Sequence, residues 1–223
     1  MTGAIGNILP LALGVAISPI PIIAAILMLL SPKARGTSVG FLAGWVVGIV
    51  VALVVFILLA AILPQADPDA SKPIAGAIKL LLGVLLLFLA LRQWRGRPKP
   101  GEQPALPAWM NAIDQMNTGR GFLLGFALAA INPKNLLLAA SAGVELGTAG
   151  LAVGEIVVVA VVFVLIAAIT VLGPVVAYLV ASDRLAGPLE SLRVWLVHNN
   201  ATIMTVLLLV IGVAVIGKGI AAF

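Results

Sequence analysis

No cysteine occurs among the 223 residues, and His198 is the only histidine. A thiol redox relay, a Cys-ligated metal and a histidine cluster are therefore excluded. Acidic side chains are also scarce: eight Asp and Glu stand against thirteen Lys and Arg, for a formal charge of +5. None lies near the centre of an apolar run, so metal-dependent hydrolysis and heavy-metal export lack a ligand set. A nucleophilic serine would need a base, and Ser18 has none within its segment. The expectation is a protein that is not an enzyme and has neither cofactor nor metal. A long polar stretch of mixed core-and-surface pattern is missing too, and with it a soluble head.

What is present is overwhelmingly apolar. Hydrophobic residues make up 62% of the chain, charged residues 9%, and mean hydropathy is +1.23, far above an ordinary soluble domain. This composition predicts an all-α polytopic protein integral to the inner (plasma) membrane, in contact with membrane lipids and with no nucleic-acid partner. About 20 apolar residues cross the hydrocarbon as a helix, which gives six spans: 4–30, 38–63, 74–94, 119–142, 152–180 and 200–221. Met1-Thr2-Gly3 supplies no basic region, so the first run reads as a mature span and not a cleaved signal. The connections fall at 31–37, 64–73, 95–118, 143–151 (which takes in Glu145) and 182–199. Lys33, Arg35, Arg92, Arg95, Arg97, Lys99, Arg120, Arg184 and Arg193 gather on one side, against Lys72, Lys79 and Lys218 on the other. Lys and Arg favour cytoplasmic loops, which places both termini outside.

Two spans carry helix-breaking chemistry near their middles: Ser18-Pro19-Ile20-Pro21 in the first and Asn132-Pro133-Lys134-Asn135 in the fourth. Proline has no N–H and clashes with the carbonyl four residues back. Pro19 should therefore free the carbonyl of Val15, and Pro133 that of Ala129. In hydrocarbon such groups persist only where protein or a wet cavity receives them. At the offset that carries Pro19 onto Pro133, Ile17-Ser18-Pro19 meets Ile131-Asn132-Pro133 and Gly40 meets Gly154. Each break falls in the first of three spans, and an odd number of spans inverts the second half. The organisation is read as two inverted three-helix repeats, 1–94 and 119–223, joined by a cytoplasmic linker at 95–118. The first and fourth helices are broken, at Pro19 with Pro21 and at Pro133. Broken helices at matching positions of two halves point to a transporter's binding site.

Lys134 is the one basic residue deep in a span, where a charge tends to face a cavity, a partner or a path. On one reading it holds an anionic headgroup or carboxylate beside a half-helix N-terminus. On the other it donates to carbonyls freed by the breaks, or snorkels outward. Asn132, Asn135 and Ser18 fit either role, binding substrate or satisfying interrupted backbone. Trp45 is expected to line whatever the first break opens onto. Thr170 reads as a hydroxyl bonded to its own helix. Glu155, at the start of the fifth span, is the candidate for proton coupling or for pairing with Lys134, although an interfacial carboxylate is more often solvated. His198 reads as a surface histidine.

Gly36, Gly40, Gly44 and Gly48 recur every four residues, a smooth stripe on which another backbone can lie closely. Packing inside one subunit is the first reading, and a homodimer seam the second. In the linker, Trp109, Met110, Ile113 and Met116 are apolar at helical spacing, which predicts a short helix in the cytoplasmic headgroup layer.

Ser18-Pro19-Ile20-Pro21, Leu27-Met28-Leu29, Phe41 with Gly44-Trp45, and Asn132-Pro133-Lys134-Asn135 together resemble the LysE superfamily of exporters. Within it the chain is most similar to the GAP or Sap-like family, the glycopeptidolipid- and sulfolipid-addressing proteins of actinobacteria. The resemblance implies six spans in an inverted repeat and the export of lipids or glycolipids toward the outer envelope. Amino-acid exporters share that plan, so a small amino-acid-like solute is the alternative substrate. A third reading is a non-transporting scaffold for a lipid synthase, docking through the Trp109 segment.

Overall fold

The structure is a computed structural model that describes residues 1–62, 73–98 and 108–223. Lys72, Lys99 and the side chain of Trp109 lie outside the described residues. Proline writes the first feature of the fold. Helix α1 (Thr2–Ala16) stops before Ser18, and α2 (Pro19–Leu29) restarts with proline in its first turn, where a missing N–H costs nothing. The same event separates α5 (Thr118–Ala130) from α6 (Pro133–Gly147). The two pairs bend by 49° and 59°. Both broken helices are thus where the prolines place them.

Between the pairs run α3 (Ala34–Ala61) and α4 (Pro73–Arg95), and α7 (Val153–Ile220) ends the chain. Straight, the 68 residues of α7 would reach about 100 Å. Instead both ends of α7 meet the beginning of α1. Glu155 Oε1 lies 3.9 Å from the Met1 nitrogen, and Lys218 Nζ donates to the Asn7 carbonyl at 2.9 Å. Thr170 bonds Ala16 at the other end of α1, and Trp195 lines a groove there together with Ile17. Between those two points α7 reverses while staying helical, in a stretch that contains Pro174 and Pro188. The expected loop at 182–199 is therefore helix. Its polar residues lie on helical turns, as the Glu190–Arg193 ion pair one turn apart illustrates. The expected connection at 143–151 is shorter as well, because α6 continues to Gly147 and takes Glu145 with it.

Among the described residues, four helical stretches are long and apolar enough to cross a membrane, and up to six if each bent pair is one span. Only about a third of each of the four is buried within the protein. The remainder, including Leu58, Val84, Phe88, Val161 and Val213, faces outward. An apolar surface on that scale has no place in water. The chain is an integral membrane protein.

The glycine stripe of α3 is consumed inside the chain. A Cβ on Gly40 would strike the Thr118 carbonyl, and one on Gly44 that of Phe122. From the other side, Gly121 and Gly125 of α5 press on the backbone of Thr37, Phe41 and Trp45. The two helices run in the same direction at backbone contact, and α3 goes on to meet Gly143 and Gly147 of α6. A homodimer seam on this stripe is ruled out, since α5 already fills it. Residues Ala108–Gln115 form a 3₁₀ helix whose Met110 and Ile113 are buried. Met110 packs with Ile22 and Ile26 of α2 and with Leu189 and Leu196 of α7. The Met110 and Ile113 side chains face protein.

Candidate functional site at the paired helix breaks

At the first break the carbonyls find three different donors. Pro19 cannot serve Val15, as expected, but the Ser18 N–H turns to the Val15 carbonyl at 3.3 Å. The vacancy moves one residue back, because Ser18 was the ordinary donor to Gly14. Lys134 Nζ fills it, donating to the Gly14 carbonyl at 2.6 Å. The Ala16 carbonyl accepts from Thr170 Oγ1 at 2.5 Å. Thr170 therefore does not bond its own helix, as its sequence context implied, but reaches across to α1.

At the second break two asparagines serve neighbouring groups. The Asn132 N–H bonds the Ala127 carbonyl at 3.1 Å, and Asn135 Nδ2 takes the Leu128 carbonyl left behind, at 2.8 Å. Asn132 Oδ1 caps α6 by accepting from the Lys134 N–H at 3.1 Å, a bond of the kind that stabilises a helix start by about 1 kcal/mol. Ser18, at the matching position before α2, makes no such cap. It is 2% exposed, and no hydrogen bond of its hydroxyl is found among the described residues.

Lys134 thus joins the two breaks. It is 4% exposed. Among the described residues its ammonium meets one carbonyl oxygen and no carboxylate. Two N–H groups remain for another acceptor. Asn135 Oδ1 and Trp45 Nε1 are likewise buried without partners, and unpaired buried polar groups are uncommon in folded proteins. Trp45 shares one buried apolar cluster with Val15, Ala24 and Ala25 from either side of the first break. It is fully buried on α3 against α5 at Gly125.

The other candidates lie elsewhere. Glu155 Oε2 accepts from the Ala152 N–H at 3.2 Å and caps α7. It is close to Met1, whereas Lys134 is at Gly14, a distance of about 20 Å along α1. The structure does not bring those two charges together. His198 is exposed, with Nδ1 2.8 Å from the Val194 carbonyl.

Beside the first break, an apolar groove of about 620 Å³ runs between α1 and the returning arm of α7. Leu13, Gly14 and Ile17 form one wall, and Trp195, Ile203 and Val206 belong to the other. Leu13, Ile17, Trp195 and Val206 are all exposed on the outer face of the bundle. The groove therefore opens sideways, at the level of the residue whose carbonyl holds Lys134.

A family model for Sap, the sulfolipid-1-addressing protein, matches residues 8–221. The chain belongs to the sulfolipid-1-addressing protein family. The match takes in both breaks, the groove and nearly all of α7. No curated protein and no solved structure matches the chain.

Sequence reasoning missed one cluster in this family member. Glu145 lies in α6 and not in the expected connection, with its side chain 11% exposed and Lys79 Nζ at 2.8 Å from Oε2. Asn7 Nδ2 donates to its other oxygen, and Lys218 is 4.0 Å away. One signal was available. Glu145 follows Ser141 by one helical turn, and the apolar run continues through Val144 and Leu146.

Proposed function

We propose that this protein exports or flips an amphipathic anionic lipid toward the outer envelope. The sideways-opening apolar groove beside the first break carries the reading. Acyl chains can lie along Leu13, Ile17 and Val206 and stay in contact with the bilayer. A charged headgroup can then exchange for the Gly14 carbonyl on Lys134. The family's name speaks of a sulfolipid, a molecule with both parts. An amino-acid exporter would want a carboxylate for the substrate's ammonium, and none pairs with Lys134 among the described residues. The reading also takes each bent pair as one of six spans in two inverted repeats, the plan shared by LysE-type exporters, with no enzymatic activity.

Filling the groove tests this. Ile203→Trp, in proteoliposomes carrying a sulfated glycolipid, is expected to remove most lipid movement while leaving a monodisperse, cooperatively unfolding protein. Undiminished lipid movement in that variant, or a wild type that moves only small zwitterions, would overturn the proposal.

Orientation is part of the proposal. The end with Lys33, Arg35, Arg95, Arg97 and Arg120 is assigned to the cytoplasm. An Arg97→Cys change in this cysteine-free chain should then escape impermeant thiol reagents in intact cells, and Gly3→Cys should react. The reverse labelling pattern would invert the topology.

A further inference from the structure

The Lys79–Glu145–Lys218 cluster lies at the Met1 end of the bundle, about three turns along α1 from the helix break, and it is not needed to satisfy either break. It draws on four elements: Asn7 of α1, Lys79 of α4, Glu145 of α6 and Lys218 of α7. Two ammonium groups face a single carboxylate. Glu145 is committed to Lys79 at 2.8 Å and reaches Lys218 only at 4.0 Å, so Lys218 spends its donor on the Asn7 carbonyl at 2.9 Å. The side chains of Lys79 and Glu145 are 14% and 11% exposed. The excess charge rests on Lys218, whose side chain is 32% exposed and which Glu145 reaches only at 4.0 Å, and a half-buried ammonium without its own counter-ion favours a second anion. A cavity of about 380 Å³, lined by Asn7, Lys79, Glu145 and Gly3 among others, adjoins the cluster.

We propose that this cluster is a second anion site, which takes a tetrahedral oxyanion such as a sulfate or phosphate monoester. Lys79, Lys218 and the Asn7 amide supply convergent N–H donors to its oxygens. Glu145 occupies the position in the unliganded protein and gives way as the anion enters. The exchange is non-covalent; a dianion balances the two ammonium groups when Glu145 has moved out, and a singly charged sulfate monoester balances them with Glu145 still alongside. The site goes beyond the export reading, because it stands on its own charges and cavity and does not involve Lys134.

The test uses the purified full chain in neutral detergent and compares sodium sulfate with sodium chloride at matched ionic strength. Sulfate is expected to raise the thermal unfolding midpoint of the wild type. Glu145→Gln removes the competing carboxylate a few ångströms away and should lower the apparent Kd for sulfate at least about tenfold. If that variant is stable only when sulfate is present, the dependence is itself the expected binding. Lys79→Gln/Lys218→Gln should lose the sulfate effect, and Lys134→Met should keep it. An equal sulfate response in wild type and Glu145→Gln, or a response that survives loss of both lysines, overturns the site. A second arm separates the source of the anion. Retention of a sulfated glycolipid over its unsulfated parent in nanodiscs, lost in the double lysine variant, assigns the site to a lipid headgroup. Unchanged retention beside an intact sulfate effect assigns it to the free ion. Because the readout is binding, failure here leaves the lipid-movement assay to stand or fall separately.

Discussion

Replacing Lys134 with methionine is expected to abolish lipid movement and to leave the protein folded. The reason lies in how the neighbouring carbonyls are served. Thr170 closes the Ala16 carbonyl and Asn135 the Leu128 carbonyl, each with a neutral side chain. A lysine is a costly way to close Gly14, since its charge must be buried as well. Losing the bond to Gly14 costs about 1–3 kcal/mol through the unpaired carbonyl. Removing the buried ammonium returns desolvation energy of similar size. The thermal midpoint in detergent should therefore move little, while transport in proteoliposomes falls at least about tenfold, more than 1.4 kcal/mol in the rate-limiting interaction. A stable Lys134→Met protein with normal transport ends the binding role. A loss of activity that follows the loss of folded protein, point for point over temperature, reduces Lys134 to a backbone tie.

Gly44→Val should be the most damaging single change to the fold. Its Cβ would run into the Phe122 carbonyl, with the buried Phe41 and Trp45 close by on α3. Backbone cannot be pushed aside as a flexible side chain can, and overpacking of this kind costs about 3 kcal/mol or more. The expected result is loss of the monodisperse species on size exclusion and of cooperative unfolding. Gly6→Ala is the control, because nothing lies within 4 Å of its Cβ, and that helix position should gain about 0.5–1 kcal/mol. A well-folded Gly44→Val monomer would mean that α3 and α5 are not in backbone contact at this turn.

Lys134 and Gly44 also mark different degrees of legibility in the chain. The glycine period is local and repeats every turn, so a close backbone contact was predictable from α3 alone. Its partner was not, because Gly121 and Gly125 become a matching groove only when α5 is laid parallel to α3. Lys134 was conspicuous as a deep charge. Its acceptor, the Gly14 carbonyl, is 120 positions away.

The sequence by itself determined the membrane setting, the broken first and fourth helices and the deep cation. Each follows from properties that a residue carries with it: apolar side chains in runs of about 20, a proline nitrogen without hydrogen, and an ammonium on a flexible stem. Tertiary structure alone decided which groups close the breaks, that Glu145 meets two lysines, and that α7 stays helical while it turns back along α1. Those outcomes depend on which surfaces pack together. Gly14 with Lys134, Ala16 with Thr170 and Asn7 with Lys218 are 120, 154 and 211 positions apart. No local period encodes such pairs. The first two form because a carbonyl released in a bilayer must find a donor, and packing determines which donor is within reach.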